Sequence, residues 1–351
     1  MFASLCAVMI ALASDKAPDL TLIDSKALMD QASRATVSPD VAMMLERYGA
    51  FAGGAGMKGY VDERAGLLLF SSSDDKDSRH MLQLLADAKV KLVTSMALPQ
   101  VGRSENKGQA LMVFHFTSQG KYEALLDQLA LAYPHLQKWV PKAKSFSGFS
   151  LPDPAMVVVL ENELAHRDRT RDSLLTHLTG HALVGQQFGE QPFWMQEGVA
   201  LHLESSLSDK LGAFCVCQSF QPINRPGAWK EEMTRAWQQV SSAQLSALLS
   251  LSSEQATLAD TLRALGLVRH LLTSDPAKVV SFMTTIDQRR VDADPGTPYD
   301  ILSAANQLSI LTDIYGSDFV SSTLAALSPQ VKTTKPDRAQ KPTKKAGGKR
   351  S

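Results

Sequence analysis

The feature that most constrains this chain is a change of hydrophobic period along its length. Between residues 67 and 188, short continuous apolar runs alternate with segments of helical spacing. The runs are 67–71 (LLLFS), 110–117 (ALMVFHFT), 146–151 and 155–160 (AMVVVL), with Pro152-Asp153-Pro154 turning the last two against each other. Short apolar runs bounded by turn signals read as strands. The intervening segments 78–92 and 120–132 repeat their leucines at helical intervals, and 171–188 is a helix closed by Gly189. After Gly227 every periodic segment is helical: 228–240, 242–251, 256–273, 276–285, 299–315 and 318–327. A chain that runs from mixed strands and helices to helices alone is α+β. Ahead of it, residues 20–60 mix short helical stretches (26–32, 39–48) with a glycine turn at Gly53-Gly54-Ala55-Gly56.

Composition supports a folded core. The 351 residues are 44% hydrophobic and 21% charged, and no run of 18 apolar residues suggests a membrane-spanning helix. The formal net charge is zero, but it is a cancellation. From Val331 to Ser351 eight basic residues face one acid, Asp337, a net +7, so residues 1–330 carry −7. The tail from Ser328, rich in Lys, Pro, Thr and Gly, reads as a disordered basic segment that attracts anionic polymers or simply solubilises the chain. At the other end, the apolar run from Phe2 to Ala13 finishes in Ala11-Leu12-Ala13, a small-x-small pattern that reads as a signal peptide. It lacks a basic leader, so a buried terminal helix in a cytoplasmic protein is the competing reading. Cys6 follows no lipobox, and Cys215 and Cys217 are too sparse for a disulfide framework or a zinc knuckle. No phosphate loop, nucleophile elbow or nucleic-acid motif is present.

The chemistry-bearing constellation is Leu175-Thr176-His177-Leu178-Thr179-Gly180-His181. Residues four apart share a helix face, so both imidazoles can reach one metal ion. Downstream, Pro192-Phe193-Trp194-Met195-Gln196-Glu197-Gly198-Val199-Ala200 opens a second helix with a carboxylate near its start. Two histidines and Glu197 complete a three-ligand zinc site with an open fourth position, and Gly198 and Ala200 are small enough for the second helix to approach the first closely.

In these residues the chain resembles the gluzincin branch of the zincin metallopeptidases, and within it the bacterial peptidase MA-like proteins. Those show H-E-x-x-H, then a proline and a tryptophan before E-G-x-A; here His177, His181, Pro192, Trp194, Glu197, Gly198 and Ala200 match. The resemblance spans roughly residues 66–326, with specific identities confined to 174–204. It implies a zincin-like two-lobed fold. The upper lobe with the histidine helix is 66–190, and the glutamate helix with a helical lower lobe is 191–327. Residues 1–13 are then the leader, 14–65 an N-terminal extension and 328–351 the tail. The leader implies a secreted or periplasmic protein, and the resemblance implies zinc on His177, His181 and Glu197 and a peptide or protein partner in the cleft. Glu204, seven residues beyond Glu197 on the same helix face, stands behind the ligands. His270 and Tyr299 fall in the lower lobe, where such enzymes place a group that steadies the tetrahedral intermediate; a packed helix histidine and a packing tyrosine are the plainer reading.

One departure governs activity. The family has glutamate directly after the first histidine, the general base that takes a proton from the attacking water and passes it to the leaving amine. This chain has Leu178 there, in an apolar stripe with Leu174, Leu175 and Ala182. Loss of general acid–base catalysis costs about 10²–10⁴-fold, so the resemblance implies an impaired enzyme or a peptide-binding pseudoenzyme. Two alternatives stand beside it: an active hydrolase recruiting another base, with Glu190 and Glu163 conceivable, and a metal-free interaction protein working through its tail.

Overall fold

A computed structural model describes residues 21–23, 38–98, 110–152, 154–161, 171–212, 223, 225–291 and 303–328. The leader, the helical stretch at 26–32, the cysteines, Glu163, Tyr299 and the basic residues of the tail lie outside the described residues.

Among the described residues, six strands make one mixed sheet in the order β1-β2-β3-β4-β6-β5. They are β1 Thr21–Ile23, β2 Lys58–Asp62, β3 Leu67–Ser71, β4 Leu111–Phe116, β5 Gly148–Pro152 and β6 Ala155–Leu160. The centre, β3-β4-β6, is parallel; β2 pairs antiparallel with β3, and β5 antiparallel with β6 at the opposite edge. The parallel neighbours are joined by helical crossovers, α2 (Asp75–Ser95) between β3 and β4, and α3 (Gln119–Ala132) with α4 (Val140–Ala143) before the β5–β6 hairpin.

The strands alternate cleanly between two cores. Leu67, Leu69, Leu111, Val113, Val157 and Val159 face one way, against α2, the motif helices and the C-terminal helices. Leu68, Phe70, Met112, Phe114, Phe116, Met156 and Val158 face the other, against α1 (Pro39–Gly54), α3 and α4. This explains why the strands read as unbroken apolar runs: neither face meets water.

The chain is thus α+β, with the expected strands and helices near their expected bounds. Two features differ. The sheet extends further towards the N-terminus than its first apolar run at Leu67, because β1 and β2 join it. The glycine turn begins later than composition indicates: α1 continues through Gly53 and Gly54, held by buried Tyr48 and Ala52, and stops only at Gly56, which takes φ +69°.

Behind the first core face lie α5 (Arg171–Phe188) and α6 (Phe193–Ser208), followed by α7 (Ala228–Trp237), α8 (Ser242–Ser250), α9 (Leu258–Ser274), α10 (Pro276–Val291), α11 (Ala304–Tyr315) and α12 (Phe319–Leu327). Gly189, at φ +66°, closes α5, and Pro192 starts α6. No helix among the described residues is long and apolar enough to cross a membrane.

Candidate metal centre

α5 and α6 pack closely because Gly180 meets Ala200: a Cβ on Gly180 would lie 2.9 Å from the Ala200 Cα. Gly198 does not serve this contact, contrary to the expectation that it lets α6 approach the histidine helix. It faces α9, where a Cβ would lie 2.5 Å from Val268 Cγ2 and 2.6 Å from the Ala264 carbonyl. A helix that meets two neighbours needs a small residue on each side, and Ala200 and Gly198 divide the task.

This packing brings His177, His181 and Glu197 together. His177 Nε2 lies 3.1 Å from His181 Nε2, and Glu197 Oε2 lies 3.5 Å and 3.3 Å from them respectively. Donor atoms on one tetrahedral zinc, each about 2.0–2.1 Å from it, are about 3.3–3.4 Å apart. The triangle has the size of a single metal's coordination face. His177 and Glu197 are fully buried, and the His181 side chain keeps 11% of its exposure, so the group reaches solvent through that imidazole.

Behind the triangle, Glu204 Oε2 lies 3.6 Å from His177 Nδ1, the far nitrogen of the ring, while its Oε1 accepts the Gly212 N–H. A carboxylate in that position fixes the orientation of a ligating imidazole. Glu204 was legible from its seven-residue offset; Gly212 was not, since a backbone donor eight residues away leaves no compositional trace. Burial pushes the Glu197 carboxyl up, but the charges and hydrogen bonds of His177 and His181 outweigh it and hold the group below the usual carboxylate range.

Leu178 is buried against the sheet. It is 4% exposed and packs on β5, its Cδ1 2.9 Å from where a Cβ on Gly148 would stand. Trp194 is a packing residue, donating to Gln307 Oε1 at 2.7 Å and tilted against Phe282. His270, on α9, stands outside the His–His–Glu group and is shifted below the usual imidazole range by burial. Glu190, beyond the end of α5, lies 4.0 Å from Arg290.

His202, five residues beyond Glu197 on α6, has its Nε2 3.1 Å from Ser95 Oγ on α2. Burial, with Arg269 and Lys91 adding positive charge, lowers it to about 4. Between about pH 6.5 and 4 the unfolded chain therefore binds a proton here that the folded chain refuses, so stability falls as pH falls through that window. The full effect is about 3 kcal/mol. His202→Gln is expected to flatten the acid limb by up to that amount, read by urea titration at stepped pH; an unchanged limb refutes the assignment.

The fold and site together define an α+β protein with a buried His–His–Glu group able to hold a metal ion. No protein-family model matches this sequence, and no curated protein matches it.

Proposed function

We propose that this chain is a zincin-like, gluzincin-type protein of the peptidase MA-like kind: it holds Zn²⁺ on His177, His181 and Glu197, and its peptidase activity is impaired. The observation that carries the reading is the ligand triangle, with edges matched to one tetrahedral ion. Charge supports it. Glu197 and Glu204 are both fully buried, and buried carboxylates call for compensating positive charge, which a divalent cation held by neutral imidazoles supplies. When bound, zinc would polarise a carbonyl or lower the pKa of water. Among the chain's own residues, Glu204 orients His177, and Leu178 neither accepts nor donates a proton. β5 gives the peptide-binding reading its support. It is an edge strand, and its Gly148 packs on Leu178, the residue after His177, so an extended peptide paired with β5 would run beside the ligands.

Protein purified without added metal is expected to carry about one zinc per chain by elemental analysis, and His177→Ala close to none. Wild-type protein devoid of bound metal, with no uptake on zinc titration, refutes the reading.

A further inference from the structure

A second constellation stands apart from the metal centre, at the carboxyl ends of three adjacent parallel strands. Ser71 closes β3, His115 lies opposite it in β4, and Glu161 follows β6. In open sheets this edge of the parallel strands is where ligands bind. His115 is the polar interruption of an apolar strand and is wholly buried.

Its Nε2 lies 2.8 Å from Glu161 Oε2. A neutral imidazole beside a carboxylate carries its proton on that nitrogen, leaving Nδ1 as an acceptor. Two hydroxyls converge on Nδ1, Ser71 Oγ at 3.3 Å and Ser73 Oγ at 3.4 Å. They are not equivalent. Ser71 is buried, and its oxygen accepts the Ser73 N–H at 3.1 Å, which places it as a support. Ser73 is half-buried and reachable from solvent, in the turn between β3 and α2.

We propose that Ser73, His115 and Glu161 form a hydrolytic relay, independent of the metal centre, that cleaves short acyl esters. Ser73 Oγ attacks the acyl carbon while its proton passes to His115 Nδ1, and Glu161 stabilises the resulting imidazolium. The same proton leaves with the departing alcohol, giving the alcohol and an acyl ester on Ser73. Water then gives a proton to Nδ1 and attacks the acyl carbon; the proton returns to Ser73 Oγ as the carboxylic acid departs. α2 starts two residues after Ser73; its Asp77 N–H is capped by Asp74, and the Asp75 and Lys76 N–H groups have no helical carbonyl partners.

The neighbouring acids are each engaged. Asp74 accepts the Asp77 N–H, Asp75 accepts from Lys58 and Tyr60, and Asp77 pairs with Arg171 at 3.1 Å. Arg171, 3.6 Å from Glu161, anchors that carboxylate from α5. Burial lowers the His115 pKa from its usual value; Glu161 and Asp77 raise it and Arg171 lowers it further. The base form is accordingly populated at neutral pH.

The full-length protein, treated with a chelator, is incubated with a fluorophosphonate probe and separately with p-nitrophenyl acetate. The expected result is one adduct per chain, mapped to Ser73, and ester hydrolysis indifferent to chelator. Ser73→Ala, a small change at a half-buried turn, is expected to abolish the adduct and slow hydrolysis at least about 100-fold with an unchanged melting temperature. Glu161→Gln is expected to slow labelling about tenfold or more and to move its pH midpoint down, a shift that loss of packing alone does not produce. A wild type that takes no adduct, an adduct that persists in Ser73→Ala, hydrolysis lost with chelator or a Glu161→Gln pH profile identical to wild type overturns the relay. Because the zinc analysis and this labelling use different residues, either can fail alone.

Discussion

Leu178→Glu protein loaded with zinc is expected to hydrolyse casein about 10²–10⁴-fold faster than wild type, the usual worth of general acid–base catalysis. The position is one residue past His177 on α5, where the resemblance to gluzincins puts the base. Leu178 now fills the space between α5 and Gly148 of β5 with methyl groups. A glutamate carries about the same bulk and adds the one group the proposed site lacks, a carboxylate that can take a proton from water and return it to a leaving amine. Leu178→Gln is the control, since it has the shape and polarity of glutamate without its basicity. Glutamate active and glutamine inactive, with equal zinc content, identifies the missing base as the defect. If the wild type already cleaves casein at a rate that Leu178→Glu does not improve, the impaired reading is wrong and another base is at work. Glu190, held near Arg290 beyond the end of α5, is the first to test.

What the sequence displays and what it hides divides along range of interaction. His177 and His181 are legible because i, i+4 spacing is a local property of one helix, and Glu197 because a proline and a tryptophan mark the start of the next. The strands β3, β4 and β6 are legible as apolar runs because each is buried on both faces. β2, Lys58-Gly59-Tyr60-Val61-Asp62, carries a glycine and two charges and is a strand only because β3 pairs with it along its whole length. β1, three residues long, depends even more on its partner. His115 is hidden for a related reason: one histidine in ALMVFHFT gives no sign of its neighbours, since Ser71 and Glu161 reach it across strands 44 and 46 residues apart. Small residues show the same limit. Composition indicates that α6 must approach something closely at Gly198, but not which helix.

That orientation of Gly198 makes a single methyl group costly. In Gly198→Ala the new Cβ would lie 2.6 Å from the Ala264 carbonyl oxygen, 3.0 Å from its carbon and 2.5 Å from Val268 Cγ2. The valine methyl can turn aside, but a backbone carbonyl within α9 cannot, so α6 and α9 must separate. Overpacking of this kind costs about 1–3 kcal/mol and occasionally more; with backbone as the obstacle the upper end is expected, opposed by less than about 1 kcal/mol from the better helix propensity of alanine. For a domain of this size that is a fall of about 5–10 °C in Tm. The consequence reaches the metal centre, because Glu197 is the adjacent residue and moves with the α6 backbone. Zinc affinity should therefore drop along with stability, although no ligand is altered. Gly180→Ala presses α5 against Ala200 from the other side, widening the histidine–glutamate spacing directly. It is expected to weaken zinc more, relative to the stability it costs, than Gly198→Ala does. Titrating zinc into both variants and following their thermal melts separates the two effects. Unchanged zinc affinity in both variants despite lowered Tm would mean that the triangle is insensitive to helix spacing, and that the fit of its edges to one ion has no bearing on binding.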